Sequence, residues 1–142
     1  MHVAETQKEV DFFKNKYGMT PVEYLDSIGL LNNRLIAAHL IFIDNKDIKL
    51  LKDNDVGISH NMGANIKSAK GVSPALKMYK EGMRVGLGTD GPMSGNTLDI
   101  ITQMGYVAKL HKLVNKDRSA MPPNEVVEMA TIGAARALHM EN

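Results

Sequence analysis

Four residues able to bind a metal or move a proton each stand at the end of a strand-like apolar run. Asp90 closes the run that starts at Arg84, and His2, His39 and His60 close three others. The intervals between them each suit one strand-and-helix step, and the carboxyl ends of parallel strands face the ligand pocket of an α/β barrel. The pattern predicts part of a metal-assisted hydrolytic site.

Each histidine also has an ordinary structural explanation. His2 could be a frayed terminal residue, and His39 lies in an apolar strand, where a hydrogen-bonded core histidine is common. His60 stands beside Asn61 at a strand end, where it could close a turn. Four such positions in order are less expected by accident than any one of them.

The two carboxylates leave the same choice open. Asp90 precedes Gly91 in a common turn pair, although Gly88 and Gly91 indicate free space around its side chain. Glu5 lies three residues after His2, where it could act as a general acid or base. The alternative for Glu5 is a solvated glutamate in the first turn of a helix.

Composition excludes several classes of function. The chain has 142 residues, a net charge of +1 with acids and bases interspersed, and no cysteine. We therefore expect one domain, a cytoplasmic location, a small soluble substrate, and neither nucleic acid nor membrane as a partner. Without thiolates, His, Asp and Glu are the available strong metal ligands.

Short apolar runs alternate with helical patterns, which predicts successive βα units and a parallel sheet. The Ala-rich stretch 130–138 indicates close packing against a neighbouring element. The predicted strands cover residues 1–5, 35–40, 56–60 and 84–90, and the predicted helices cover residues 6–17, 21–29, 45–53, 75–81, 97–114 and the region from 122 onward.

Capping residues predict where several helices begin and end. Gly18 should stop the first helix, and Thr20 with Glu23 forms a capping box around Pro21. Ser73, before Pro74, and Asn96 are expected to cap two later helices. Gly82 is expected to end the earlier of these in a left-handed conformation.

Five motifs occur along the chain. They are His2-Val-Ala-Glu5-Thr6, Ala38-His39, Ser59-His60-Asn61 with Asn65, Lys67, Gly71 and Pro74, Gly86-Leu-Gly-Thr-Asp90-Gly91, and Ala130-Thr-x-Gly-Ala134. In order and spacing, these motifs resemble those of the amidohydrolase superfamily, and the resemblance is greatest to the 5-methylthioadenosine/S-adenosylhomocysteine deaminase group and the related chlorohydrolases. The resemblance implies an α/β fold, namely strands five to eight of a (β/α)8 TIM-type barrel with C-terminal helices, so that residues 1–142 form a partial catalytic domain.

The resemblance implies a role for each site residue. His2 matches a metal ligand, and Asp90 matches an aspartate that contacts the metal and accepts a proton from the attacking water. Glu5 matches a glutamate that binds the substrate ring nitrogen and delivers its proton. His39 matches a histidine that contacts the water or the developing oxygen. No catalytic role carries over to His60, which we interpret as structural.

The implied reaction is hydrolytic deamination. Metal-bound hydroxide would attack the amine-bearing ring carbon of an adenine nucleoside such as 5-methylthioadenosine or S-adenosylhomocysteine, with loss of ammonia. Zinc, iron or manganese would be the metal. A guanine deaminase or chlorohydrolase-type enzyme is the alternative within enzymes, and a non-catalytic, self-associating half-barrel is the alternative outside them.

Departures from the family pattern limit what the chain can do alone. It has no His-x-His motif, which supplies two further metal ligands in the family, and it lacks counterparts of strands one to four and of a small β domain. We therefore expect a weak metal site or none, and little activity. Met62 and His139 replace residues that are usually proline and glycine.

An incomplete barrel should leave sheet edges unpaired and inward side chains exposed. We therefore expect a homo-oligomer in which two halves shield each other. A monodisperse monomer at high concentration in light scattering would contradict this expectation.

Overall fold

Four parallel strands form one sheet in the computed structural model, which describes residues 1–141. The strands lie in chain order, so each βα unit adds one strand beside the last. This confirms the predicted α/β architecture of four βα units followed by C-terminal helices. The strands are β1 (His2–Val3), β2 (Ile36–His39), β3 (Gly57–His60) and β4 (Val85–Leu87).

Helices follow every strand in the described part of the chain. Several of the helices that connect the strands are short. The long helix α7 lies beyond the last strand. The helices are α1 (Gln7–Tyr17), α2 (Pro21–Ser27), α3 (Asn45–Asp53), α4 (Met62–Lys67), α5 (Ala75–Lys80), α6 (Pro92–Gly95), α7 (Ile100–Asn115), α8 (Pro123–Ala130) and α9 (Ile132–Ala137).

The early helix ends confirm the capping predictions. Gly18 ends α1 with a φ of 69°, a left-handed conformation that costs glycine little. Thr20 and Glu23 form the full reciprocal capping box at the start of α2. Gly82, after α5, has a φ of 77° and is left-handed as predicted.

Two capping predictions are wrong. Asn96 ends the short helix α6 in a left-handed conformation, and Asp99 caps α7 by accepting hydrogen bonds from two backbone amides. Ser73 caps nothing, because α5 starts at Ala75 and the Ser73 hydroxyl is buried without a hydrogen-bond partner among the described residues. Helices α4 and α6 were not predicted, since one or two turns give too few residues for a helical period.

The last helix packs directly on the sheet, as the Ala-rich stretch predicts. A Cβ added to Gly57 would lie 2.0 Å from the Ala137 carbonyl oxygen, and one on Gly86 would lie 2.6 Å from the Ala134 Cα. The strand register and the two-residue period put both glycines on the sheet face that carries His2. Helix α9 thus covers part of this face, whereas an incomplete barrel is expected to leave its inward face exposed.

The two departures from the family pattern fit their surroundings differently. Met62 is fully buried at the start of α4 and fills core space. His139 has a φ of 54°, in the left-handed region where glycine is the least strained residue. The glycine common at this position therefore has a backbone reason, and His139 takes up the same conformation at some cost.

The outer strands remain edges in the part of the chain that the structure describes. β1 pairs with β2 alone, and β4 pairs with β3 alone. Among these residues, each outer strand therefore has one edge without a pairing strand. No helix among residues 1–141 has the length and apolar character needed to cross a bilayer.

Candidate active site

The carboxyl ends of β1, β2 and β4 bring four of the predicted site residues together. His2 Nδ1 lies 3.5 Å from Glu5 Oε2, and His2 Nε2 lies 4.0 Å from Asp90 Oδ1. His39 Nε2 lies 3.6 Å from Glu5 Oε1 and 3.8 Å from Asp90 Oδ2. The rings of the two histidines meet edge to face, with centroids 4.5 Å apart.

The backbone at these strand ends is unusual. Ala4, His39, Leu40 and Asp90 all have positive φ values, between 49° and 74°. Non-glycine residues rarely adopt this conformation, and such residues cluster at functional sites. Here the conformation turns the chain as each strand ends, which directs the side chains of His39 and Asp90 toward a common point.

His39 is fully buried, and a contact with Asn65 fixes the orientation of its ring. Its Nδ1 is 2.8 Å from the Asn65 Oδ1 of helix α4, which is also fully buried. Its Nε2 has no hydrogen-bond partner in the described chain and faces Glu5 and Asp90. A buried imidazole nitrogen needs a partner, so this atom marks where a bound group would make contact.

Glu5 is a partly buried carboxylate fixed by two loops. The Glu9 carboxylate accepts hydrogen bonds from the backbone amides of Ala4 and Glu5, which shapes the turn after β1. Lys70, in the loop after α4, donates a hydrogen bond to Glu5 Oε1.

Opposing effects set the pKa of Glu5. Burial by itself raises this pKa. The hydrogen bond from Lys70 and the neighbouring His39 and His2 more than offset that effect, so the pKa of Glu5 lies below its ordinary value.

Asp90 is held as a carboxylate in a similar way. Its Oδ1 accepts a hydrogen bond of 2.8 Å from the Gly91 amide. Burial raises the pKa of Asp90, while the hydrogen bonds from Gly91 and Ser94 lower it. Nearby His39 and His2 lower it further, so that this pKa also lies below its ordinary value.

The glycines beside Asp90 have different surroundings. A Cβ on Gly91 would meet nothing within 4 Å, as expected for free space around the carboxylate. A Cβ on Gly88 would lie 2.2 Å from Asn61 Oδ1 and 2.4 Å from Ser59 Oγ. Gly88 therefore makes room for a hydrogen-bonded Ser59–Asn61 pair rather than for a ligand.

His60 lies away from this cluster, in a second buried pair. Its Nε2 is 3.0 Å from His111 Nε2 of helix α7, and both rings are inaccessible to solvent. Burial lowers the pKa of His60 to about 3, with a smaller contribution from His111, and burial lowers the pKa of His111 to about 4. Both rings are neutral near pH 7, and the contact supports the structural interpretation of His60.

This pair predicts a loss of stability in mild acid. The unfolded chain binds protons on both histidines below about pH 6.5, whereas the folded chain resists protonation down to about pH 4, so stability falls as pH falls through this window. The loss should be about 3 kcal/mol between pH 6.5 and 5, because the slope for each of the two groups is about half of 1.4 kcal/mol per pH unit at pH 6.5 and reaches nearly the full value by pH 5. Urea unfolding at half-unit pH steps measures it.

The matched control replaces both rings by apolar side chains, as His60→Leu with His111→Met, because removing both partners of a buried hydrogen bond is nearly neutral in favourable cases. This double variant should lose most of the acid sensitivity. Equal pH dependence in the two proteins would show that other groups cause it.

Two contacts of the site were not predicted. Asn65 belongs to the motif that begins at Ser59, but no local pattern indicates that its side chain contacts His39. Lys70 had no signal at all, because it meets Glu5 across 65 residues of sequence. Chain order predicts that the loops after parallel strands gather at one end of a sheet, but it does not predict which side chains meet there.

Parallel βα units with histidine and carboxylate groups at the strand ends are the arrangement of the α/β-barrel enzymes. The chain belongs to the amidohydrolase family, whose model matches residues 1–142. This confirms the family that the motifs indicated.

Within this family, the chain is similar to a deaminase of known name. The chain is 45% identical over 141 residues to a 5-methylthioadenosine/S-adenosylhomocysteine deaminase of Dictyoglomus turgidum, covering 99% of this chain and 33% of the relative. It therefore spans about a third of the length of that relative.

Solved structures agree on the fold. A zinc-bound adenosine deaminase from Xanthomonas campestris matches with a TM-score of 0.94 and 35% identity, over 99% of this chain and 32% of that one. A zinc complex of atrazine chlorohydrolase from Arthrobacter aurescens matches with a TM-score of 0.91 and 25% identity, over 98% and 31% of the two chains.

Proposed function

We propose that this chain is the second half of the catalytic barrel of a metal-dependent aminohydrolase. The complete enzyme would deaminate an adenine nucleoside such as 5-methylthioadenosine or S-adenosylhomocysteine. The observation that carries the proposal is the convergence of His2, Glu5, His39 and Asp90 at the strand ends of a chain so similar to a deaminase of this kind. The absence of cysteine fits a cytoplasmic location.

The residues present fit a divalent metal. Imidazole nitrogen and carboxylate oxygen are suitable zinc ligands, and the buried, unpartnered His39 Nε2 marks a place for a bound group nearby. We assign His2 and Asp90 as ligands, with the remaining ligands coming from outside this chain. Bound there, zinc or another divalent metal would polarise the substrate and lower the pKa of a water to about 7.

The chain's own residues would carry out the proton transfers of the reaction. Asp90, held as a carboxylate by the Gly91 amide, is placed to accept the proton of the attacking water. Glu5 would bind the ring nitrogen of the purine, and carry the proton that this nitrogen needs when the ring carbon is attacked. His39 Nε2, fixed by the contact of its other ring nitrogen with Asn65, would face the developing oxygen.

Alone, the chain should have little activity. Its His2 side chain is 58% exposed, so one side of the site is open to water that would weaken every electrostatic contact. The open edges of β1 and β4 favour a homo-oligomer in which two sheets shield each other. A monodisperse monomer at high concentration in light scattering would contradict that assembly.

A chlorohydrolase or guanine deaminase is the second candidate. The structural match to an atrazine chlorohydrolase supports it, because a chain of the same fold carries a name that denotes chloride and not ammonia as the leaving group. Leaving-group choice depends on pocket residues beyond those described here.

A chimera tests the proposed function. In it, this chain replaces the matching third of the Dictyoglomus turgidum relative, so that the remainder supplies the other strands. We expect the chimera to release ammonia from 5-methylthioadenosine or S-adenosylhomocysteine at least about a hundredfold faster than a matched chimera that carries Asp90→Asn. A folded, metal-loaded chimera that releases no ammonia from either nucleoside would count against the proposed function.

A further inference from the structure

We propose that Lys70 is a positioning residue that keeps Glu5 off the metal, because its ammonium pairs with one oxygen of the Glu5 carboxylate and places a positive charge beside the atoms that the metal would contact. The inference rests on the proposed metal-dependent function. It adds a reason why the metal would bind to His2 and Asp90 and not to His2, Glu5 and His39. The contact lies between two loops of the site, and its effect is measurable in the chain itself.

Glu5 belongs to a competing ligand set. His2, Glu5 and His39 each offer an atom within 4.8 Å of the others, which is close enough for one ion to contact all three. Zinc ligands at about 2.0 to 2.2 Å in a tetrahedral arrangement lie about 3.3 to 3.6 Å from each other. The 3.5 Å from His2 Nδ1 to Glu5 Oε2 and the 3.6 Å from His39 Nε2 to Glu5 Oε1 each fall in this range, through the two oxygens of one carboxylate.

A second observation points to a ligand at this set. His39 is fully buried, and its Nε2, without a hydrogen-bond partner in the described chain, faces Glu5 Oε1. A metal held by His2, Glu5 and His39 would satisfy that nitrogen. It would also remove the two groups that the proposed reaction needs for proton delivery and for the developing oxygen.

Lys70 stands at one of the two Glu5 oxygens that this competing set can use. Its ammonium donates a hydrogen bond to Glu5 Oε1, the same oxygen that lies nearest His39 Nε2. A lysine side chain has no lone pair to offer when charged, and its positive charge repels a cation a few ångströms away. Lys70 therefore leaves His2 free to bind metal with Asp90.

The neighbouring Lys67 offers a matched control. It also lines the cavity of about 190 Å³ that contains Glu5, Lys70 and Asp90. Its ammonium donates to the Met93 carbonyl and to Asn96 Oδ1, and not to a carboxylate. Neutralising Lys67 removes the same charge from the same cavity and leaves the Glu5 contact in place.

The experiment measures zinc affinity of the chain by calorimetry at pH 7.5 and low salt. We expect Lys70→Met to bind Zn²⁺ at least about tenfold more tightly than the unaltered chain, because a repelling charge is lost and Glu5 becomes a ligand. Lys67→Met should change the affinity less than threefold. Lys70→Gln provides a second neutral replacement if methionine disturbs folding, which circular dichroism will show.

Adding Glu5→Gln to Lys70→Met should abolish the gain, because a neutral amide is a poor zinc ligand. The proposal is overturned if Lys70→Met and the unaltered chain have indistinguishable isotherms, including no binding by either. It is also overturned if the gain survives Glu5→Gln or appears equally in Lys67→Met. These readouts use no substrate, so an inactive chimera would count against the proposed function and leave this result unaffected.

Discussion

Asp90→Asn in the chimera is expected to lower ammonia release by about a thousandfold or more. The substitution removes the carboxylate that we assign both to the metal and to the proton of the attacking water. General-base catalysis alone contributes about 10² to 10⁴ in rate, and loss of a charged ligand adds to this. Initial rates of ammonia release at saturating 5-methylthioadenosine measure the effect.

The fold should survive this substitution. Asp90 has a φ of 59°, a conformation that asparagine tolerates better than most residues, and an asparagine oxygen can still accept the hydrogen bond from the Gly91 amide. Asp53→Asn is the matched control, since Asp53 is exposed and pairs with Lys49 on the surface of α3. Turnover by Asp90→Asn within threefold of that control would refute the assigned role.

The sequence predicts the strand ends well because parallel βα units impose a simple rule. Each buried strand is a short apolar run, and the first ionisable residue at its carboxyl end falls at the edge where the site must lie. His39 and Asp90 follow this rule, so their convergence was predictable before any coordinates. Glu5 was also predicted, although its position depends on a turn that Glu9 holds by two backbone hydrogen bonds.

Local capping patterns were less reliable in the second half of the chain. Thr20 and Glu23 act within one turn, and their capping box was predicted correctly. Asn96 lies just before a run with helical apolar spacing, where a helix cap is expected. In the structure Asn96 instead ends α6, and Asp99 caps α7. A residue type favoured both at helix starts and in left-handed turns cannot distinguish the two from sequence alone.

Long-range side-chain contacts were beyond prediction. The His60–His111 pair joins residues 51 positions apart, and the Lys70–Glu5 contact joins residues 65 apart. No hydrophobic period or spacing encodes such contacts, because they depend on how α4 and α7 pack against the sheet. The family motifs indicated the candidate site residues, and the structure adds the residues that contact them.

Removing the metal should affect the reaction as strongly as removing Asp90. Without a metal, Asp90 and Glu5 would have to act on an ordinary water, whose pKa of about 15.7 leaves almost no hydroxide near neutral pH. A chimera stripped with chelator should therefore lose at least about a thousandfold of its ammonia release. Circular dichroism before and after stripping controls for unfolding.

Ammonia release from 5-methylthioadenosine by the chimera, before stripping, after stripping and after zinc is returned, tests the central claim most directly. We predict release before stripping, almost none after it, and recovery as zinc approaches one equivalent per chain. Full release by a folded chimera shown by elemental analysis to be metal-free would contradict a metal-dependent site built on His2 and Asp90.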